Sequence, residues 1–262
     1  MNSATVRTLL VRGMIAGVLA GLLAFGLAYL IGEPQVDAAI AVEESASHAH
    51  GHGGDPAEEL VSRAVQSTAG LATAVLVYGT ALGGITALAL CFALGRVGAF
   101  RSRATAALVA LGGFVTVALV PFLKYPANPP AVGDPDTLNQ RTALYFLMIA
   151  LGVLLAVGAV LLGRKLAPRW GNWYATVAGC AVFTVAVGLA LAFLPAGDPI
   201  PHDFPADVLW QFRLASLGVQ ALLWTALGLI LGHLAQRVLE PAAVTAPATT
   251  GDTAPGASVA AH

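Results

Sequence analysis

Charge is what this chain has least of. Only 10% of its 262 residues are Asp, Glu, Lys or Arg, while 57% are apolar. A soluble domain carries roughly a quarter of its residues charged, so a soluble globular enzyme and a disordered chain are both excluded. There is no basic surplus. Thirteen Lys and Arg against fourteen Asp and Glu give a net charge of −1, which argues against a nucleic-acid partner. Cysteine is nearly missing. Cys91 and Cys180 both fall inside long apolar runs, which argues against a disulfide framework or a cysteine-ligated zinc site and reads as two small buried hydrophobes. Also missing are an HExxH zinc-protease motif and a GxSxG elbow. Gly158 to Lys165 carries the glycines of a phosphate loop without its Gly-Lys-Ser/Thr order. With no paired acid and base in its apolar runs, the chain is expected not to be an enzyme.

What is present is six apolar runs, each at least 19 residues long: Leu9–Ile31, Thr68–Leu94, Thr105–Leu123, Thr142–Gly163, Tyr174–Leu194 and Leu214–Gln236. A bilayer core about 30 Å thick takes about 20 helical residues, and lipid offers a backbone no partners outside a helix. The expectation is an all-α polytopic membrane protein of about six transmembrane helices. A transmembrane helical domain then covers 1–239, and 240–262, rich in Ala, Thr, Pro and Gly, reads as a disordered cytoplasmic tail. The first run is too long, and its nearest small-residue site too distant, for a cleaved signal peptide. Gly13, Gly17 and Gly21, with Gly79/Gly83 and Gly228/Gly232, repeat at the spacing that lets helices approach closely.

Six spans put both termini on one side. That side holds nine of the thirteen Lys and Arg, which makes it cytoplasmic. The other side holds four: Arg63, Lys124, Arg141 and Arg213. Twelve of the fourteen acids also fall there, so the outer face attracts cations.

Three external loops connect the spans: a His- and acid-rich loop at 32–67 and Pro-rich loops at 124–141 and 195–213. The first contains His48, His50 and His52. In an extended segment alternate side chains share a face, imidazole suits Co, Ni, Cu and Zn, and short His-rich tracts are a metal-binding signature. The third brings Asp198, His202, Asp203 and Asp207 just ahead of the last run, as a second ligand set or, for Asp207, a helix cap. Arg213 is expected to pair with one of these acids. The second loop reads as a rigid turn. His233, about one turn from the cytoplasmic end of the last run, is an intramembrane ionisable group and so a functional candidate. Gln220, mid-run, reads as a helix-to-helix bond.

The run PFLKYPANPPAVGDPDTLNQRTALY from Pro121 to Tyr145 resembles the second external loop of the CbtA-type predicted cobalt transporter subunits. FPADVLWQFRLASLGVQALLW, Phe204–Trp224, resembles the start of their last span, and Arg12-Gly13-Met14-Ile15-Ala16-Gly17 resembles their opening. The similarity runs from the first span to the last and leaves out the tail. It implies a bacterial inner-membrane, multi-pass protein linked to cobalt supply for cobalamin. It also implies work with a small one-span CbtB-type subunit. The family is usually described with five spans, against six apolar runs here. The resemblance raises Lys124, Tyr125, Asn128, Pro129, Gly133, Asp134 and Arg141 as path-lining or gating positions, to which the charges of Arg213 and His233 add two more. The expected function is uptake of Co²⁺, or Ni²⁺, captured at external His, Asp and Glu. The alternative is a metal-binding scaffold or sensor that assists a separate permease. No organic cofactor is expected.

Overall fold

The computed structural model describes residues 2–49, 61–130, 132–133, 135–197, 199–201 and 203–240. Among them no strand occurs. Five helices are long and apolar enough to cross a membrane: α1 (Ser3–Ser45), α2 (Arg63–Ala93), α3 (Ser102–Lys124), α4 (Leu138–Phe193) and α5 (Ala206–Leu239).

At 56 residues, α4 cannot be one span, since a straight helix of that size runs to about 84 Å. Gly171 breaks it, with φ 75° and ψ 162°, a backbone that side-chain-bearing residues adopt rarely. The chain doubles back there. A methyl placed on Gly163 would sit 3.3 Å from the Ala175 carbonyl oxygen, and one on Gly179 would sit 3.0 Å from that of Ala159. Two antiparallel arms result, and the five helices supply the six membrane-length segments that the apolar runs imply. Trp170, Trp173 and Tyr174 stand exposed around the turn, as interfacial aromatics do.

The glycine repeats join α1 to α2. A methyl on Gly17 would lie 2.0 Å from Gly79 O, and one on Gly83 would lie 2.1 Å from Gly13 O. Only glycine permits that approach. Gly228 and Gly232 of α5 pack likewise against Ala110, Ala106 and Arg103 of α3. The central core is mostly alanine and leucine from α1, α2, α3 and α5, with Trp224 among them. The arms of α4 join it at the side, where Met148 and Val187 pack with Val120 of α3.

The basic ends gather at one end of the bundle. Arg12 donates to the Leu234 carbonyl at 2.7 Å, Arg103 meets His233 Nδ1 at 3.1 Å, and Glu240 accepts from the Ser102 hydroxyl and backbone N–H. At the opposite end lie Lys124 and both outer ends of α4.

Three expectations are corrected here. Residues 32–67 are not a loop throughout: the helix of α1 runs on through a π turn at Ala28–Gly32 into Glu33–Ala49. The π turn precedes Pro34, whose ring displaces the carbonyl four residues back. Pro121 follows the π turn Phe114–Leu119 in the same way. Pro205, rather than Asp207, occupies the cap position of α5, and Asp207 lies in its first turn. Cys180 is exposed on the helix surface rather than buried in the protein, while Cys91 is half-buried; both are free thiols.

Candidate functional site

The extension of α1 reaches across the outer end of the bundle. Its Ala39 is fully buried with Val132 of the second loop and with Phe204 and Leu209 at the start of α5. Arg63, at the head of α2, pairs with Glu33 and with Asp37, one turn apart on that extension. All three outer connections therefore meet in one small apolar cap, held on one side by an ion-pair clamp.

Beneath it is a cavity of about 280 Å³. Its walls come from α3 (Ala118, Phe122), the second loop (Tyr125, Pro126, Ala127), α4 (Tyr145) and α5 (Ser216, Leu217, Gln220). The polar groups facing this space are neutral. Ser216 donates to the Phe212 carbonyl and keeps its lone pairs. Gln220 hydrogen-bonds Tyr78 of α2, while its Oε1 is buried without a partner. Turning the amide exchanges donor and acceptor but still leaves one of its atoms unsatisfied, an arrangement costing about 1–3 kcal/mol. Farther in on α5, one turn past Gln220, Trp224 is buried against Gly113. Its indole Nε1 is likewise without a partner.

Of the residues singled out in the sequence, Tyr125 and Gln220 line this cavity, while Lys124, Arg213 and Arg141 tie down the segments beside it. Tyr125 lines it and donates its hydroxyl to Pro195 O at 2.9 Å; burial raises its phenol above the ordinary value near 10, so it stays a neutral donor. Lys124 donates to the Leu191 carbonyl, 2.8 Å away, in the last turn of α4, where unpaired carbonyls and the helix dipole favour a cation. Contrary to the expectation from sequence, Arg213 pairs with neither Asp203 nor Asp207, the described acids of the third loop. It reaches Asn128 Oδ1 at 2.8 Å and the Ala127 carbonyl at 3.4 Å, binding α5 to the second loop. Arg141, one turn before Tyr145, lays its guanidinium over Gly133, whose φ of 112° and missing Cβ make room for it.

The expected metal ligands are placed differently. His48 falls on helical backbone, so the extended geometry assumed for His48, His50 and His52 fails at its first member. His50, His52, Asp134, Asp198 and His202 lie outside the described residues. Asp203 is described and exposed. Among the described residues no three His, Cys, Asp or Glu side chains gather as ligands. His233 is exposed near the basic end, in contact with Arg103 and remote from the cavity. Sequence reading passed over Tyr78, Tyr145 and Ser216. The one available signal was Ser216 and Gln220 at a four-residue spacing, which puts both on one helix face.

A family model described as "Probable cobalt transporter subunit (CbtA)" matches residues 6–236, nearly the whole chain. No curated protein and no solved structure matches.

Proposed function

The chain belongs to the CbtA family of probable cobalt transporter subunits, and on that premise we propose that its outer cavity is the mouth of a path for Co²⁺, and for Ni²⁺ as a second cargo. It is a multi-pass membrane protein with a role in cobalt transport, and as a subunit it works with a further membrane component. The finer reading is ours. The membrane is the bacterial inner membrane, the basic end faces the cytoplasm, the partner is the one-span CbtB-type subunit, the cobalt serves cobalamin synthesis, and no bond is made or broken in the cargo.

One observation carries this reading: at its acidic end the bundle holds a cavity whose largely apolar wall also presents the hydroxyls of Tyr125, Tyr145 and Ser216 and the amide of Gln220. A dication cannot enter hydrocarbon bare. Neutral oxygens and trapped water substitute for part of its hydration. His48, His50 and His52, beside Glu43 and Glu44, raise the metal concentration outside. A membrane potential contributes about 2.3 kcal/mol per charge per 100 mV. For a dication that is about 4.6 kcal/mol, or roughly a two-thousand-fold gradient, enough for accumulation without ATP. Trp224 packed on Gly113 leaves the inner half closed, so import requires a conformational step. A scaffold that gathers metal for another permease draws on that closure.

The test is ⁵⁷Co²⁺ accumulation in cells lacking other cobalt importers, with this chain alone and with its one-span partner. Saturable, chain-dependent uptake supports the permease. No uptake in either condition, with cobalt still bound by the purified protein, selects the scaffold.

A further inference from the structure

Two side-chain atoms of α5 are buried with no hydrogen-bond partner among the described residues: the Gln220 oxygen Oε1 and the Trp224 nitrogen Nε1. Buried polar atoms are rarely left so, and a buried indole N–H ordinarily finds an acceptor. Here one atom accepts and the other donates. The two residues are four apart, so they are neighbours on one helix face. A helical side chain leans toward the preceding turn, which for Trp224 is the turn of Gln220. Each side chain carries the group that the other lacks. What Trp224 has instead is a place in α3. A methyl on Gly113 would sit 2.5 Å from Cη2 and 3.0 Å from Cε3 of the indole. The six-membered edge of the ring therefore fills a notch that only glycine leaves, and the N–H edge faces the other way.

α3 can give at this point. Gly112 and Gly113 end its first α-helical stretch, and the π turn Phe114–Leu119 begins at the next residue. Glycine-containing pairs and π turns are where helices bend. A methyl on Gly112 would meet nothing within 4 Å, which leaves the pair room to pivot. Ala118, in the same π turn, forms part of the cavity wall. The outer cavity and the Trp224 notch are thus served by one bendable segment.

We propose that Trp224 is the inner gate of the cavity and that it has two bonding states. Closed, its ring fills the Gly113 notch, and Nε1 and Gln220 Oε1 both go unpaired. Open, α3 pivots at Gly112 and Gly113, the ring leaves the notch, and the indole N–H donates to Gln220 Oε1. Ring packing lost is offset by a hydrogen bond gained, and a packed core with two such arrangements switches between them rather than yielding gradually. The idea rests on the transport reading and names the moving part that reading requires. Cargo in the cavity meets the Ala118 wall and so acts on the segment that holds the gate.

The chain has four tryptophans, and Trp170, Trp173 and Trp210 are all exposed. Changing those three to Phe in the full-length protein leaves Trp224 as the only indole. Its fluorescence is read in lipid nanodiscs without metal. Gly113→Ala fills the notch and should shift the emission to longer wavelength, as the indole gains a hydrogen-bond partner. Flux of ⁵⁷Co²⁺ into proteoliposomes, with the one-span partner present, is the second readout. Trp224→Phe keeps a ring for the notch and removes the N–H. Its flux should fall severalfold while its thermal midpoint holds or rises, because the closed state loses an unpaired donor. A purely structural tryptophan predicts the reverse, a lower midpoint with unchanged flux. Trp224→Ala removes the plug, and its flux should no longer saturate; where that variant does not fold, Trp224→Phe carries the test. Wild-type flux through Trp224→Phe, or unmoved emission in a folded Gly113→Ala protein, overturns the gate while leaving cobalt transport standing. An emission shift with no flux in the wild type has the opposite meaning: the two-state indole stands and the transport reading falls.

Discussion

Single side chains at the two ends of the bundle decide how helices are tied together. Lys124 satisfies a last-turn carbonyl of α4, a charged hydrogen bond worth about 1.5–3 kcal/mol where it is shielded and less where water reaches it. Lys124→Met is expected to lower stability by about 1–2 kcal/mol, read as a fall in the thermal midpoint of the purified protein. At the other end Glu240 accepts from the Ser102 hydroxyl and then from the Ser102 N–H, which together hold its pKa below the ordinary 4.5. A depressed carboxyl stabilises the fold above its unfolded pKa and loses that effect as pH falls through its folded one. Glu240→Gln should therefore unfold earlier than wild type at pH 7, and the difference should shrink as pH falls below 4.5. A gap that does not narrow on acidification contradicts the assignment. Residue-level chemistry was only partly legible in the sequence. The family resemblance of the second loop pointed to Tyr125 and Asn128, whereas Arg213, expected beside the third-loop acids, binds Asn128 instead. Nothing local announced that Gln220 meets Tyr78, because that contact joins helices more than a hundred residues apart.

At the scale of elements, glycine spacing was a sound guide and the loop assignment was not. Gly13, Gly17 and Gly21 face Gly79 and Gly83 at backbone contact. Gly17→Val inserts a branched side chain where a methyl already lies 2.0 Å from Gly79 O. The helices must separate, at a cost of about 3 kcal/mol, and the yield of folded protein should drop sharply. Gly26 has nothing within 4 Å, so Gly26→Val is the control and should be tolerated. In the sequence, residues 33–49 look like loop because they belong to the acidic, His-bearing stretch between the first two apolar runs. Yet after Pro34 the segment is Ala- and Glu-rich, which favours helix, and no glycine interrupts it before Gly51. Its Ala39 face then finds Val132, Phe204 and Leu209, a contact between three separate connections that one-dimensional patterning does not reveal. Arg63→Ala removes the clamp on Glu33 and Asp37. As a partly exposed ion-pair set it is worth about 1 kcal/mol, and hydrogen exchange of residues 35–45 should quicken severalfold with little change in overall stability.

For the whole molecule, the fold class followed from composition because the bilayer leaves few options: long apolar runs must be helices. Hydropathy does not encode which faces of those helices are wet. The chain resolves this at its acidic end, where α3, α4, α5 and the second loop leave room beside a few hydroxyl groups and the Gln220 amide in a largely apolar wall. Behind that space the alanine, leucine and tryptophan core is closed. Such a molecule conducts only by rearranging, so its flux should saturate with cobalt concentration rather than rise linearly. The most direct test of the central claim is potential-driven ⁵⁷Co²⁺ flux into proteoliposomes holding the chain and its one-span partner, comparing wild type with Ala127→Trp, which fills the cavity from its rim. The account predicts saturable flux for the wild type and at least a tenfold loss in the variant, with its thermal midpoint unchanged. Undiminished flux through a stably folded Ala127→Trp protein would contradict it, because cobalt would then be crossing by a route that avoids the cavity.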